Sequence, residues 1–370
     1  MDEQLMRARR VAPVFDSERL LATRELIGGV QAEIARAAEM SPSALSQAER
    51  GVAKPTAATL KRLADAMGVP VEAFSRRPEP TTGLTPQFRH LRRTPQRERR
   101  RAARLVEATD AVVKVLRARV RLPEPFEFRR DIDPEARVAD VASEIEDVAV
   151  ATRVELGLDS NTPVDAGLVD VMENSGVVVV RDVETDDAID AYSAVVNSQP
   201  IVVLDGGSDS VWDRDNFNLA HELGHLVMHR TAEHRPGTKT VESQAHRFAG
   251  AFLAPEGALR SEVPDDLDWA QYLELKIRWG MSMAALVHRA RDLGIIDELI
   301  YTRAMKQRSA YGWRRVEPGK DLRPLPRPSL LAEAAMLAEL TNEDLAVAAG
   351  IPESVVERIL GSGPSPSVRT

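Results

Sequence analysis

Phe217-Asn218-Leu219-Ala220-His221-Glu222-Leu223-Gly224-His225-Leu226-Val227-Met228-His229 sets two histidines four residues apart inside a run of helically spaced apolar residues. On a helix such residues lie about 40° apart around the axis and one turn along it, so both imidazoles can reach one ion. Glu222 stands about 100° from His221, which places it beside the ion as a general base rather than as a ligand. HExxH on a helix points to a zinc hydrolase whose third ligand comes from elsewhere. The spacing predicts that this helix spans residues 212–229.

Working outward, three short β-branched runs precede the helix, at 177–180, 191–196 and 201–204, bounded by Gly, Asn, Ser and Pro. They predict a small sheet, with Asn197-Ser198-Gln199-Pro200 as a tight connection between the second and third strands. The 201–204 strand is the expected place for an extended substrate to pair, with Asp205-Gly206-Gly207 as its mobile rim. Glu242 follows His225 by seventeen residues, and Ala245, Phe248, Ala249 and Phe252 behind it mark another core-facing helix. A metzincin would need Gly at 228 and His at 231, where this chain has Met228 and Thr231. The third ligand is therefore expected from the later helix, so that His221, His225 and Glu242 hold Zn2+ and Glu222 is catalytic. A purely structural zinc site would not need Glu222. His229 and His246 each stand one turn beyond a proposed ligand and are either orienting groups or ordinary helix-face histidines. His234 is expected in a loop facing solvent.

The totals agree with a multi-domain protein. A chain of 370 residues is long for one core. With no cysteine, disulfides and thiolate metal sites are excluded. No apolar run approaches the roughly 20 residues needed to cross a bilayer, and Met1-Asp2-Glu3 does not begin a signal peptide, so a cytoplasmic protein with no membrane partner is expected. The net charge of −8 is unevenly spread. Residues 1–130 carry 26 Lys/Arg against 16 Asp/Glu, and residues 131–370 carry 23 against 41. A basic front on an acidic back suggests that the front meets nucleic acid.

From 17 to 77 the pattern is helical, punctuated by Gly28-Gly29, Ser41-Pro42, Gly51 and Gly68-Val69-Pro70. Residues 31–38 and 42–50 form a helix, short turn and second helix, the geometry that lays one helix in a major groove. Ile34, Ala35, Leu45 and Ala48 should face inward. Ser43, Ser46 and Gln47 should face outward to read base edges, with Gln31 and Lys54 on phosphate. The arginines from Arg89 to Arg104 (Arg89, Arg92, Arg93, Arg97, Arg99, Arg100, Arg101 and Arg104) either follow a DNA backbone or pair with the acidic back half.

Glu18-Arg19-Leu20, Gln31-Ala32-Glu33-Ile34-Ala35, Ser41-Pro42-Ser43-Ala44-Leu45-Ser46-Gln47 and Glu49-Arg50-Gly51 together resemble the XRE-type (lambda-repressor-like) helix-turn-helix family. Val30 departs from its usual Thr or Ser N-cap, which costs about 1 kcal/mol. The HExxH run, with Glu242-Ser243-Gln244-Ala245-His246-Arg247-Phe248-Ala249 and Phe252-Leu253-Ala254-Pro255, resembles the ImmA/IrrE metallopeptidases over roughly residues 135–310. That resemblance puts Glu242 on the third-ligand position. It also implies a bacterial cytoplasmic enzyme acting on XRE-type repressors or antitoxins, and fusion to an XRE domain is a known arrangement.

The expected fold is thus mainly α and multi-domain. An all-α helix-turn-helix domain occupies 17–77 and a basic helical linker 78–134. An α+β zincin-like domain with a small sheet occupies 135–317, and a C-terminal helical unit 318–370. In that last unit, residues 342–360 echo 31–49, with Glu353 and Glu357 where Pro42 and Ser46 stand, which suits packing better than phosphate. The expected function is a homodimeric regulator on a double-stranded DNA operator, with a zinc endopeptidase that cleaves a repressor- or antitoxin-type protein or its own chain. The alternatives are a metal domain that is a non-catalytic sensor or structural module, and a toxin–antitoxin-type regulator whose back half mainly binds a partner.

Overall fold

A computed structural model describes residues 3–75, 87–88, 95–164, 167–182, 190–207, 211–229, 238–314, 316–320, 322–325 and 327–361. Most of the stretch 78–94, with Arg89, Arg92 and Arg93, and the loop residue His234 lie outside the described residues. The front of the chain packs α1 (Glu3–Val11), α2 (Ser17–Leu26), α3 (Gln31–Ala37), α4 (Pro42–Glu49) and α5 (Ala57–Met67) around one core. Leu20, Ile34, Ala35, Leu45, Ala48, Leu60 and Leu63 form its centre, all buried. The Asp16, Ser41 and Thr56 side chains accept from the first-turn amides of α2, α4 and α5. Val30 gives α3 no such cap.

The second core gathers α7 (Val138–Glu155), α8 (Leu168–Asn174), α9 (Trp212–Met228), α10 (Lys239–Leu253), α11 (Glu256–Glu262), α12 (Trp269–Trp279), α13 (Met283–Asp292) and α14 (Glu298–Ala310) against one face of a sheet. The strands are β1 (Gln87–Phe88), β2 (Val178–Asp182), β3 (Ala191–Val196) and β4 (Gln199–Asp205), in the order β1-β3-β4-β2. β4 runs antiparallel to β3 and parallel to β2. The β3–β4 turn is only Asn197-Ser198, both at positive φ (48° and 68°), the backbone that a two-residue hairpin demands. Gln199 and Pro200 already belong to β4. Pro200 is tolerated because the β2 ladder begins one residue later, at Val178↔Ile201. The expectation that 201–204 would be a free edge is overturned. β4 is paired on both sides, so its backbone has no room for a substrate, and the edge beside it is β3, with β1 on it.

Alternation divides the sheet. Val179, Ala191, Val202 and Leu204 face the second core, whereas Val178, Val180, Tyr192, Ala194, Ile201 and Val203 face a third. That third core is built on α6 (Gln96–Arg117), whose Ala102, Leu105, Val106, Val112, Val113 and Leu116 make a helical apolar stripe. Each buried Leu or Val contributes about 1.5–3 kcal/mol relative to exposure, so this part of the expected linker is a structural rod rather than a spacer. α15 (Leu330–Leu337), α16 (Asn342–Ala349) and α17 (Glu353–Leu360) close the same core. The echo of α3–α4 in α16–α17 extends to the turn, where Glu39 (φ 54°) and Gly350 (φ 61°) share the left-handed conformation. Val355, Val356 and Ile359 of α17 are buried, while Glu353 and Glu357 face solvent. Buried Glu173 of α8 accepts from the Ser329 and Leu330 amides at 3.0 and 3.1 Å, seating the start of α15.

Candidate metal centre and DNA-reading face

α9 and α10 bring the zinc-site residues together. His221 and His225 are 1% and 2% exposed, so neither is a solvated helix-face residue. The His225 Nε2 to His221 Nε2 distance is 3.1 Å, His221 Nε2 to Glu242 Oε2 is 3.3 Å and His225 Nε2 to Glu242 Oε1 is 3.7 Å. A tetrahedral zinc with ligand bonds of 2.0–2.2 Å spaces its donors about 3.3 Å apart, so the three groups fit such an ion and leave one position open. Burial presses the Glu242 carboxyl upward, but the neighbouring His221 and His225 outweigh it and lower it to about 2. The site therefore presents a carboxylate at any working pH.

Gly224 allows this approach of the two helices. A Cβ there would meet the Phe248 ring of α10 at 2.8 Å. Glu222, 1% exposed, accepts a hydrogen bond of 2.7 Å from the buried Ser193 hydroxyl of β3. Sequence reasoning missed Ser193, since a single serine in a strand carries no motif. It also left Gln244 without a role. His229, 0% exposed, lies between His225 Nδ1 (3.2 Å) and Gln244 Oε1 (2.8 Å). His246 stands apart from that relay. It lies between Phe217 and His288, with tilted rings at centroid distances of 4.9 and 5.5 Å. A cavity of about 590 Å³ opens beside the cluster, lined by Val138, Ala142, His221, Glu242, His246 and His288. That volume is within the range of ligand-binding clefts.

On the front domain, Ser43, Gln47 and Lys54 are exposed and Ser46 is half-buried, all on or just after α4. Gln31 is turned differently: its amide donates to Glu49 at 2.8 Å, and Glu49 is paired with Arg24 at 2.5 Å. The amide thus braces α3 against α4, and a phosphate contact from Gln31 would need the second hydrogen of that amide nitrogen or the backbone N–H. Four of the expected arginines, all on α6, contact other parts of the protein, with Arg97 and Arg100 exposed. Arg97 donates to the Gly28 carbonyl, Arg101 pairs with Asp182 at 3.0 Å, and Arg100 and Arg104 reach Glu25 at 3.5 and 3.0 Å.

Comparison with known families agrees with this geometry. Residues 20–74 match the helix-turn-helix family model, and residues 172–291 match the IrrE N-terminal-like domain of the M78 peptidases. No curated protein matches the chain. The fold and the two matches define a DNA-binding transcription regulator that carries a metallopeptidase-like domain. More particularly, the chain joins an XRE-type helix-turn-helix domain to an ImmA/IrrE-like domain in one polypeptide. Among the described residues no helix is long and apolar enough to cross a membrane.

Proposed function

We propose that the metal domain is an active zinc endopeptidase, that His221, His225 and Glu242 are its ligands, and that it cleaves a repressor- or antitoxin-type protein. The observation that carries this is Glu222: a buried carboxylate held by Ser193 beside the ligand cluster serves no structural metal site. Zinc bound there would lower the pKa of a water and polarise the scissile carbonyl. Glu222 would then serve as the general base toward the attacking water and hand the proton to the leaving amine, with Ser193 fixing its carboxylate. Ser43, Ser46, Gln47 and Lys54 of the front domain, with Gln31 in the role left to it, contact a double-stranded operator, bound by a homodimer. The working domains on this view are 17–77, 135–317 and 318–370.

Cleavage of its own chain is a second outcome of the same chemistry, and one observation favours it. Gln87–Phe88 pairs antiparallel with β3 in the register Gln87↔Ser193, the residue that holds Glu222. An extended substrate added to a sheet edge would use that same backbone.

Comparison of the proteomes of wild-type and Glu222→Gln cells tests both. A repressor or antitoxin that accumulates only in the mutant names the substrate in trans, and a wild-type-only fragment of this chain ending near residue 87 names it in cis. Identical proteomes, with the same genes derepressed, would sink the peptidase and leave a metal domain that only senses.

A further inference from the structure

We propose that Gln244 and His229 are positioning residues that decide which nitrogen of His225 is offered to the metal. This deepens the zinc-peptidase proposal and rests on His225 being a ligand. Gln244 is fully buried. Its Nε2 lies 2.8 Å from the carbonyl of Asp133 and 2.8 Å from that of Ala136, in the segment that leads into α7. Carbonyl oxygens only accept, so the amide nitrogen must face them and the amide oxygen must face the other way. That oxygen is 2.8 Å from His229 Nε2. An amide oxygen also only accepts, so His229 Nε2 carries the hydrogen.

In a neutral imidazole the second nitrogen is then a bare acceptor. His229 Nδ1 is 3.2 Å from His225 Nδ1, which therefore donates to it. His225 Nε2 is left with its lone pair directed at the cluster, 3.1 Å from His221 Nε2 and 3.7 Å from Glu242 Oε1. The opposite assignment would put a hydrogen on Nε2, in the space a metal needs. Ligating histidines commonly donate their far N–H to a carbonyl or carboxylate. Here a second histidine takes that place, and its own tautomer is set by the amide behind it.

The backbone supports the same function. His229 ends α9, and its amide donates to the His225 carbonyl at 2.9 Å. The segment before α7 runs along this helix end, with the Arg130 amide on Val227 O and the Ile132 amide on Met228 O. The Asp133 and Ala136 carbonyls are thus held relative to the residues they control.

The test uses the full chain and two readouts. In the zinc-free wild type, 15N-detected imidazole spectra should show His225 protonated on Nδ1 and His229 on Nε2. Gln244→Leu should return His225 to a mixture with Nε2–H. Zinc affinity, measured by competition with a chromophoric chelator, should fall about 10- to 100-fold in His229→Phe, the range seen when such partners are removed. Gln244→Leu should fall in the same direction, and the wild-type spectrum decides the matter if either variant fails to fold. His225 carrying its hydrogen on Nε2 in the wild type, or unchanged zinc affinity in a folded His229→Phe, overturns the proposal. If the wild type itself binds no zinc, the metal-site proposal fails instead, so the two failures are distinct.

Discussion

At the scale of single residues, the proposed site separates holding a metal from moving a proton. Glu242 would supply the one anionic donor of the set. Removing it leaves two donors where a catalytic set needs three. We expect close to one zinc per chain in the wild type and loss of that zinc in Glu242→Ala, by metal analysis after dialysis. Ser193 does the opposite work, touching the base and no ligand. Ser193→Ala should keep the zinc and lower kcat by about tenfold, which is about 1.4 kcal/mol of transition-state stabilisation. A variant with zinc intact and kcat unchanged would show that Glu222 needs no support from β3. The grouping of His221, Glu222 and His225 is legible because HExxH fixes their spacing through helix geometry, whereas Glu242 stands on a second helix and is reached through the resemblance. Ser193 was not legible, since its contact depends on which strand lies against α9, and that is tertiary information.

At the scale of elements, the same contrast recurs. Residues 31–49 are readable as helix, turn and helix because caps and apolar spacing are local signals, and Ser41 and Leu45 act as those signals imply. The sheet is legible as strands but not as an order. The 201–204 run is as β-branched as a free strand would be, and only the pairing of β4 with both β3 and β2 makes it interior. α6 departs from the expected linker for a different reason: its arginines dominate the composition, while the stripe from Ala102 to Leu116 decides where it sits. Packing between α9 and α10 gives an element-scale prediction at Gly224. A methyl group there must displace Phe248. Overpacking of this kind costs about 1–3 kcal/mol, and the better helix propensity of Ala recovers at most about 1. Gly224→Ala should therefore lower both thermal stability and zinc affinity, because the ligand helices must part. Calorimetry showing a stability equal to or above wild type would mean that Phe248 yields without cost.

At the scale of the whole molecule, the DNA-reading and metal domains meet through the third core. Glu173 is one joint: burial raises its carboxyl from an ordinary 4.5 to about 7, against the two amides of Ser329 and Leu330, which favour the ionised form. The folded protein thus holds a proton that the unfolded chain has released between pH 4.5 and 7, so this group's stabilisation is full below that window and is lost as pH rises through it. Its size is on the order of 3 kcal/mol. Hydrogen exchange at the start of α15 should quicken from about pH 5 to about pH 8 beyond the intrinsic rate, and Glu173→Gln should remove that excess. α6 is the other joint, tying Gly28 and Glu25 of the front domain to Asp182 at the end of β2. Arginines already paired with protein carboxylates release few counterions from DNA. Lys54 is exposed beyond α4. Operator affinity should fall steeply with salt, and Lys54→Ala should reduce the log–log slope by about 1 for each phosphate that the lysine neutralises. Arg104→Ala should leave that slope unchanged while loosening the packing of α2 on α6, seen as faster amide exchange in α2. A drop in slope for Arg104→Ala equal to that for Lys54→Ala would place α6 on the DNA backbone after all, and the front domain would then have to leave its seat on α6 in order to bind.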